Sequence, residues 1–388
     1  MTQHFTLQQN ERNLVFVPEI LTSDGDKCRV CVDTIDDARA DGVSLVRLDN
    51  NQLSLTIVPT RGMGVWKGEC KVPADGGVAG ETIKLGWNSP ASVPVHPSFV
   101  PLCDPSGLGW LDGFCEWIVR CGLESNGAPE FDANGQLRYG LHGKIANTPA
   151  SRVETLIEDD GSIELRGTVK ESRLFFKNLE LTASYFMRPD STAFTIRDTV
   201  TNRFHLPSEF QMLYHINTGM PFIGAGSEIV VPFDRLAPRT EQAAREIAAW
   251  NRCDPEDANS EEVVYFVDPF ADSNGLSYAM LIDAAGEHGL LLSFVHEHLP
   301  YFMVWKSRLQ DGNGYVTGIE PSTNFPNSHS HEKERGRVVK LQPGESYTME
   351  MTLEVLTNKE RVQSAKQKLV ELQKKSKAVV MPQPNPDW

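Results

Sequence analysis

Glu320 in VTGIEPSTNFPN, His215 in FQMLYHINTG and His142 in LRYGLHGKIANTPA are the residues whose types suit paired acid–base work. A carboxylate and an imidazole can divide a proton transfer between them when their pKa values lie near the working pH, and each such transfer contributes about 10²–10⁴-fold. Pro321 fixes its own φ and holds Glu320 out of the helical region, so the segment reads as a strand that ends on a carboxylate and breaks at once into a rigid loop. Ser322, Thr323, Asn324 and Asn327 stand around it. Short polar side chains of this kind either bond a hydroxyl-rich ligand or satisfy their own turn. Each histidine lies in or beside a strand end among polar residues, a setting that suits a structural imidazole as well as a catalytic one. Arg61, in the Gly-rich turn VPTRGMG, completes the set.

Other chemistries have less apparatus. His296 and His298, and likewise His329 and His331, stand two apart, which on a strand places each pair on one face as metal sites use it. Nothing else supplies the shell of partners that ligating histidines need, so no metal and no cofactor is assigned. There is no G-x-S-x-G, no P-loop, and no G-x-G-x-x-G opening a helix after a strand. Seven cysteines in a chain of 388 residues do not suggest a disulfide framework, and the Cys28/Cys31 C-x-x-C has no second pair at zinc-finger spacing.

The elements that must position these residues are strands. Ile163, Leu165 and Val169 alternate with polar neighbours, as do Phe194, Ile196 and Val200, while Met349, Met351, Leu353 and Val355 share a face. Asp160-Gly161 between VETLIE and SIELRGTV marks a hairpin. LVFVPEI, VSLVRL and LSLTIVP open the chain as β, after a polar Met1–Arg12 segment expected to fray. From Trp66 to about Asn134 the pattern fades into a long Gly/Pro-rich region, which in a compact domain is usually functional. It holds Trp87, His96 and four of the seven tryptophans, and its stretch Asp112–Leu123 reads as helical, bringing Trp117 near Arg120. Two helices are expected, Thr240–Trp250 as a surface helix or lid and one from about Asn358, whose Val362, Ala365, Leu369 and Leu372 form a stripe that packs on the sheets or on another subunit. Many antiparallel strands without β-α-β alternation indicate an all-β sandwich, with 13–356 as one domain and 357–388 as a C-terminal helix and extended tail.

With 40% hydrophobic and 23% charged residues the chain can bury a sizeable core. A net charge of −15 opposes a nucleic-acid or anionic-membrane partner and makes a neutral ligand the easier one. No apolar run approaches the ~20 residues of a membrane span and the N-terminus lacks a signal-like apolar region, so a cytoplasmic location is expected. The oligomeric state is left open.

PTRGMGV, GWNSPASVPVHP, WIVRCGLESNGAP, YGLHGKIANTPA, LYHINTG and GIEPSTN follow one another over Pro59–Asn327, and in this order they resemble the aldose 1-epimerase (galactose mutarotase-like) superfamily, in particular its uncharacterised bacterial branch. The resemblance implies a galactose mutarotase-like β-supersandwich with a few short helices and an open groove for a pyranose. It implies Glu320 as the base that takes the anomeric hydroxyl proton and His215 as the acid at the ring oxygen, with His142 and Arg61 holding the sugar. Asn147, Asn217, Asn324, Trp87, His96, Arg120 and Trp305 are further candidates for sugar contact. The function implied is cofactor-independent interconversion of the anomers of an aldose or aldose derivative, for which Glu320 must be raised in pKa and His215 kept cationic. A non-catalytic carbohydrate-binding protein, or another sugar isomerase, lyase or hydrolase on the same scaffold, is the alternative. The sequence departs from the mutarotase pattern after His215, where Ile216 and Asn217 replace an aromatic–Asn step.

Overall fold

The computed structural model describes residues 3–9, 20–22, 28–72 and 80–388. Two large sheets pack face to face. The first has nine strands in the order Gln3–Gln9, Arg152–Ile157, Ile163–Arg173, Lys177–Met187, Ala193–Asn202, Ser346–Leu356, Gly289–Val295, Leu276–Ile282 and Glu228–Val230. The second has fourteen strands, and its central run is Leu53–Val58, Gly64–Lys71, Ile118–Leu123, Ser208–Gly219, Tyr315–Ser322, Tyr301–Arg308, Val263–Pro269 and Phe233–Pro238, all antiparallel. This is the expected all-β supersandwich. Its short helices lie outside the sheets.

Alternation builds the core. Ile163, Leu165, Val169, Phe194, Ile196 and Val200 point inward from one sheet and meet Leu55, Ile57, Phe210, Met212 and Ile216 of the other in one buried cluster. The hairpin at Asp160-Gly161 forms as expected, with Arg152–Ile157 paired to Ile163–Arg173. At the centre of this dry layer sits a charged pair: Arg120 donates through Nη2 to Asp198 Oδ1 at 2.9 Å, and Tyr214 Oη donates to Asp198 Oδ2 at 2.9 Å. Both charged side chains are essentially sealed from water.

Three expectations change. Asp112–Leu123 is no helix: a 3-10 turn covers Gly109–Gly113, and Ile118–Leu123 is a central strand. That strand is buried on both faces, so it has no polar alternation to betray it. Residues Gln3–Gln9 do not fray but pair with Arg152–Ile157 at the sheet edge. The strand carrying Glu320 does not stop there, because Tyr301 and Phe302 continue the pairing through Ser322 and Pro321. The expected strand LVFVPEI falls, apart from Ile20, outside the described residues.

The helical readings hold in outline. Thr240 caps a helix over Glu241–Arg245, and Asn358 caps another over Lys359–Gln373 by accepting from Arg361 N at 2.9 Å. Val362, Ala365 and Leu369 of the second pack on Met280, Ile282 and Leu356, the outer face of the nine-stranded sheet. Among the described residues no helix is long and apolar enough to cross a membrane.

Candidate active site

The outer face of the fourteen-stranded sheet carries a second buried cluster, separate from the core between the sheets. On adjacent strands the pleat turns alternate residues to this face. They include Val119 and Cys121, then Leu213, His215 and Asn217, then Gly318 and Glu320, then Met303 and Trp305. Leu213 pairs with Ser322 and Ile216 with Ile319, so the register sets His215 opposite Glu320. Between these two rungs the ladder is interrupted, and Pro321 has no N–H to give there.

His215 Nε2 lies 3.3 Å from Glu320 Oε1. The residues are only 4% and 3% exposed, so the two groups face each other almost without water. The approach is close but not aligned as a hydrogen bond, and among the described residues Glu320 Oε1 has no hydrogen-bond partner. Gly318 makes the approach possible: a Cβ there would stand 2.4 Å from Glu320 Oε1 and 3.2 Å from Trp305 Cε3. Gly318→Ala is therefore expected to push the carboxyl off the imidazole, with any activity of the pair falling at least tenfold and Tm moving by only a few degrees; unchanged turnover would show that the spacing is immaterial.

The tautomer of His215 is fixed from behind. Asn217 donates its Nδ2 to Glu116 O at 3.0 Å and to His215 O at 3.1 Å, which leaves its Oδ1 facing His215 Nδ1 as an acceptor. His215 therefore carries its proton on Nδ1 and turns a bare Nε2 towards Glu320 when neutral. His142 is held likewise, with Nδ1 2.8 Å from Asn126 O. Its backbone is in the left-handed region at φ 57, a conformation uncommon for a side chain of this size. The two imidazoles meet edge to face with ring centroids 5.5 Å apart.

Burial dominates the electrostatics. It pushes the Glu320 carboxyl well above its usual range, reinforced by Glu262 and opposed by Arg239. It pushes His215 well below the usual imidazole range, with His142 adding to the effect and Asn217 opposing it. Desolvation also lowers His142, to about 4. Both directions run against the cationic His215 expected from the sequence: burial favours the protonated carboxyl and the neutral imidazole.

The groove is closed, not open as the resemblance implied. Phe114 and Trp305 lie against the His215 ring at 5.2 Å and 5.1 Å, and Trp110 lies on His142 at 4.7 Å. Phe114 and Trp110 come from the long Trp66–Asn134 region, which is the roof. Trp87 braces it by donating Nε1 to Glu116 O at 3.1 Å.

Arg61 is buried and anchors the roof from below, donating to Glu116 Oε1 at 2.8 Å, to Gly113 O at 2.8 Å and to Asn147 Oδ1. Among the described residues the buried Asn147 Nδ2 and Trp110 Nε1 have no partner. Asn324 is committed to Asn126 in a reciprocal amide pair at 3.0 and 3.2 Å and so braces the loop that orients His142. Two candidates are elsewhere. Arg120 faces the opposite side of the sheet, and His96 is turned to Ser98 Oγ at 2.7 Å, capping a 3-10 turn.

The remaining histidines do not converge. His329 and His331 lie on a helix, where i and i+2 point apart, and His296 bonds Ser277 Oγ at 3.0 Å. Among the described residues no group of three or more His, Cys, Asp or Glu could hold a metal ion. Sequence reasoning missed Glu116, Asn126 and Phe114. The first two had a signal, since both lie inside or beside WIVRCGLESNGAP; a lone Phe in a Gly-rich loop had none.

A two-sheet β-supersandwich of this kind is the galactose mutarotase-like fold. A structure of a candidate aldose 1-epimerase from Klebsiella pneumoniae superposes with a TM-score of 0.91 at 30% identity, covering 99% of each chain. The chain belongs to the family described as a domain of unknown function (DUF4432), whose profile matches residues 40–355. A galactose mutarotase-like protein from Clostridium acetobutylicum (TM-score 0.54, 14% identity, 84% of this chain and 98% of that one) shares the fold. So does a candidate aldose 1-epimerase from Escherichia coli K12 (0.50, 15%, 81% and 99%). No curated protein matches the sequence.

Proposed function

We propose that this protein is a cofactor-independent enzyme that interconverts the anomers of an aldose or aldose derivative. The observation that carries the reading is the sealed His215–Glu320 contact, with its 3.3 Å separation and its unpartnered carboxyl oxygen. Anomer exchange removes a proton from O1, delivers one to O5 and later reverses both, so a pair that holds one proton is a complete catalyst. At rest that proton is on Glu320. Moving it along the Oε1–Nε2 line gives a carboxylate and an imidazolium, the form in which Glu320 takes the O1 proton while His215 protonates O5. The ring opens to the aldehyde, C1 rotates about C1–C2, and closure on the other face returns both protons.

His142, with its Nδ1 fixed by Asn126, offers a bare Nε2 to a sugar hydroxyl. The unpartnered Trp110 Nε1 and Asn147 Nδ2 are donors suited to sugar oxygens. Asn217 and Arg61 act from behind, as positioning residues, and Trp87 and Trp305 supply ring faces for the apolar side of a pyranose. Entry requires the Phe114 or Trp305 ring to swing aside. NMR saturation transfer between the anomers of a panel of aldoses tests the reading; exchange no faster than in buffer for every sugar would refute it.

The pH dependence has a definite sign. A second proton entering the pair abolishes its base, and burial places that protonation below the ordinary imidazole value of 6.5. The acid limb of kcat/KM is therefore expected below pH 6.5. An acid limb at or above that value contradicts the sealed pair.

A further inference from the structure

Among the described residues, a cation on this face has no partner. Arg239 stands one residue beyond the Phe233–Pro238 strand, and its N–H donates to Val264 O at 2.9 Å, continuing the register in which Pro238 opposes Tyr265. Val264 opposes Trp305, Trp305 opposes Gly318, and Gly318 opposes Asn217. Residues directly opposite one another share a face, so Arg239 lies in one row with Trp305 and Asn217 on the face that carries the acid–base pair. Three strand spacings, about 14 Å, separate its Cα from that of Gly318, a span for an arginine side chain and a substituted pyranose to fill between them.

The guanidinium is half-buried, and among the described residues it makes no ion pair and no side-chain hydrogen bond. Other charged groups of this sheet are engaged. Arg235 is paired with Asp268 at 2.8 Å, Arg61 with Glu116 at 2.8 Å, and Glu262, the carboxylate on the rim, accepts from Trp305 Nε1 at 2.8 Å. The positive charge of Arg239 bears on Glu320 and on His142 at once, in keeping with its place in this row. A half-buried arginine without a counter-charge, in the row beside the buried His215–Glu320 pair, is the arrangement an incoming anion completes.

Resting on the anomer-exchange reading, we infer that the substrate is an anionic aldose, with a phosphate ester or carboxylate at the end remote from the anomeric carbon seated on Arg239. The acidic surface does not forbid this. Exposed charges are screened beyond about 10 Å at ordinary ionic strength, whereas a guanidinium in a half-buried site acts at contact distance. The neutral ligand favoured by net charge alone thus gives way to a local counter-charge.

Quenching of tryptophan fluorescence measures binding whether or not the sugar turns over. Glucose, glucose 6-phosphate and glucuronate are titrated against the wild type, Arg239→Gln and Arg239→Lys. The expected result is that at least one anion binds ten or more times tighter than glucose, that Arg239→Gln reduces this ratio by 10- to 100-fold, and that Arg239→Lys retains part of it. Phosphate and carboxylate are separated by which of the two anions shows the preference. Equal affinities for all three sugars, no binding by any, or an unchanged ratio in Arg239→Gln would overturn the inference. The two readings fail separately: charge-selective binding without anomer exchange defeats the acid–base chemistry alone, and anomer exchange without charge preference defeats the role of Arg239 alone.

Discussion

Glu320→Gln is expected to lose about 10³–10⁴-fold in anomer exchange while folding as well as the wild type or better. The loss follows because glutamine can neither accept nor release the proton that the pair shares, although its shape fills the same space. The gain in stability follows from linkage. The Glu320 pKa is raised by burial, so the folded state binds a proton that the unfolded state releases near the ordinary carboxylate value. The contribution of this group to wild-type stability is therefore fully present in acid and is lost as pH rises from that value through the folded pKa. Glutamine has no such proton to lose. The Tm of Glu320→Gln should accordingly pull ahead of the wild type as pH is raised from 4 to 8, a trend that calorimetry at several pH values would detect. Exchange within tenfold of wild type would remove Glu320 from the chemistry, and a Tm gap independent of pH would show that the carboxyl is ionised in the fold.

The second large effect concerns stability alone. Asp198→Asn should cost about 3–5 kcal/mol, because it leaves Arg120 as an uncompensated charge between the two sheets. Replacing the whole polar centre is a different matter. Arg120→Met with Asp198→Leu and Tyr214→Phe removes both charges and the hydroxyl that Asp198 accepts from, and should recover most of the loss, since packed apolar groups often do as well as a buried pair. Met63 O keeps a donor in Tyr185 Oη. Denaturant unfolding would give the free energies. The triple variant should also retain anomer exchange, because Arg120 faces away from His215; loss of exchange in a stably folded triple variant would return Arg120 to the list of sugar contacts.

Arg120 also illustrates what the sequence could convey. The two-residue period of the half-exposed strands was legible because one face is wet, and it led to the sandwich directly. Ile118–Leu123 was not legible, since burial on both faces leaves no contrast for a period to show. The acid and the imidazole were found through ordered segments, and the register then brought His215 and Glu320 together. At His215 the charge expected from the sequence runs against the direction in which burial shifts the imidazole. A sequence shows charges but not the depth at which they will sit, and here depth decides. The same limit hid Arg239, whose meaning lies in the partner it lacks.

The strand that carries His215 leaves its neighbour-to-be for a long excursion. Between Gly219 and Tyr315 the chain contributes Glu228–Val230, Leu276–Ile282 and Gly289–Val295 to the opposite sheet before returning to pair. A growing polypeptide that has not yet delivered Tyr315–Ser322 from the ribosome therefore presents Ser208–Gly219 with one flank unzipped and its apolar residues uncovered. Such a flank is an invitation to mispairing with other nascent chains. Biogenesis of this protein is thus most vulnerable while the chain between Gly219 and Ser322 is being made, and slow codons or chaperone shielding before Tyr315 would act on yield without touching any residue of the site.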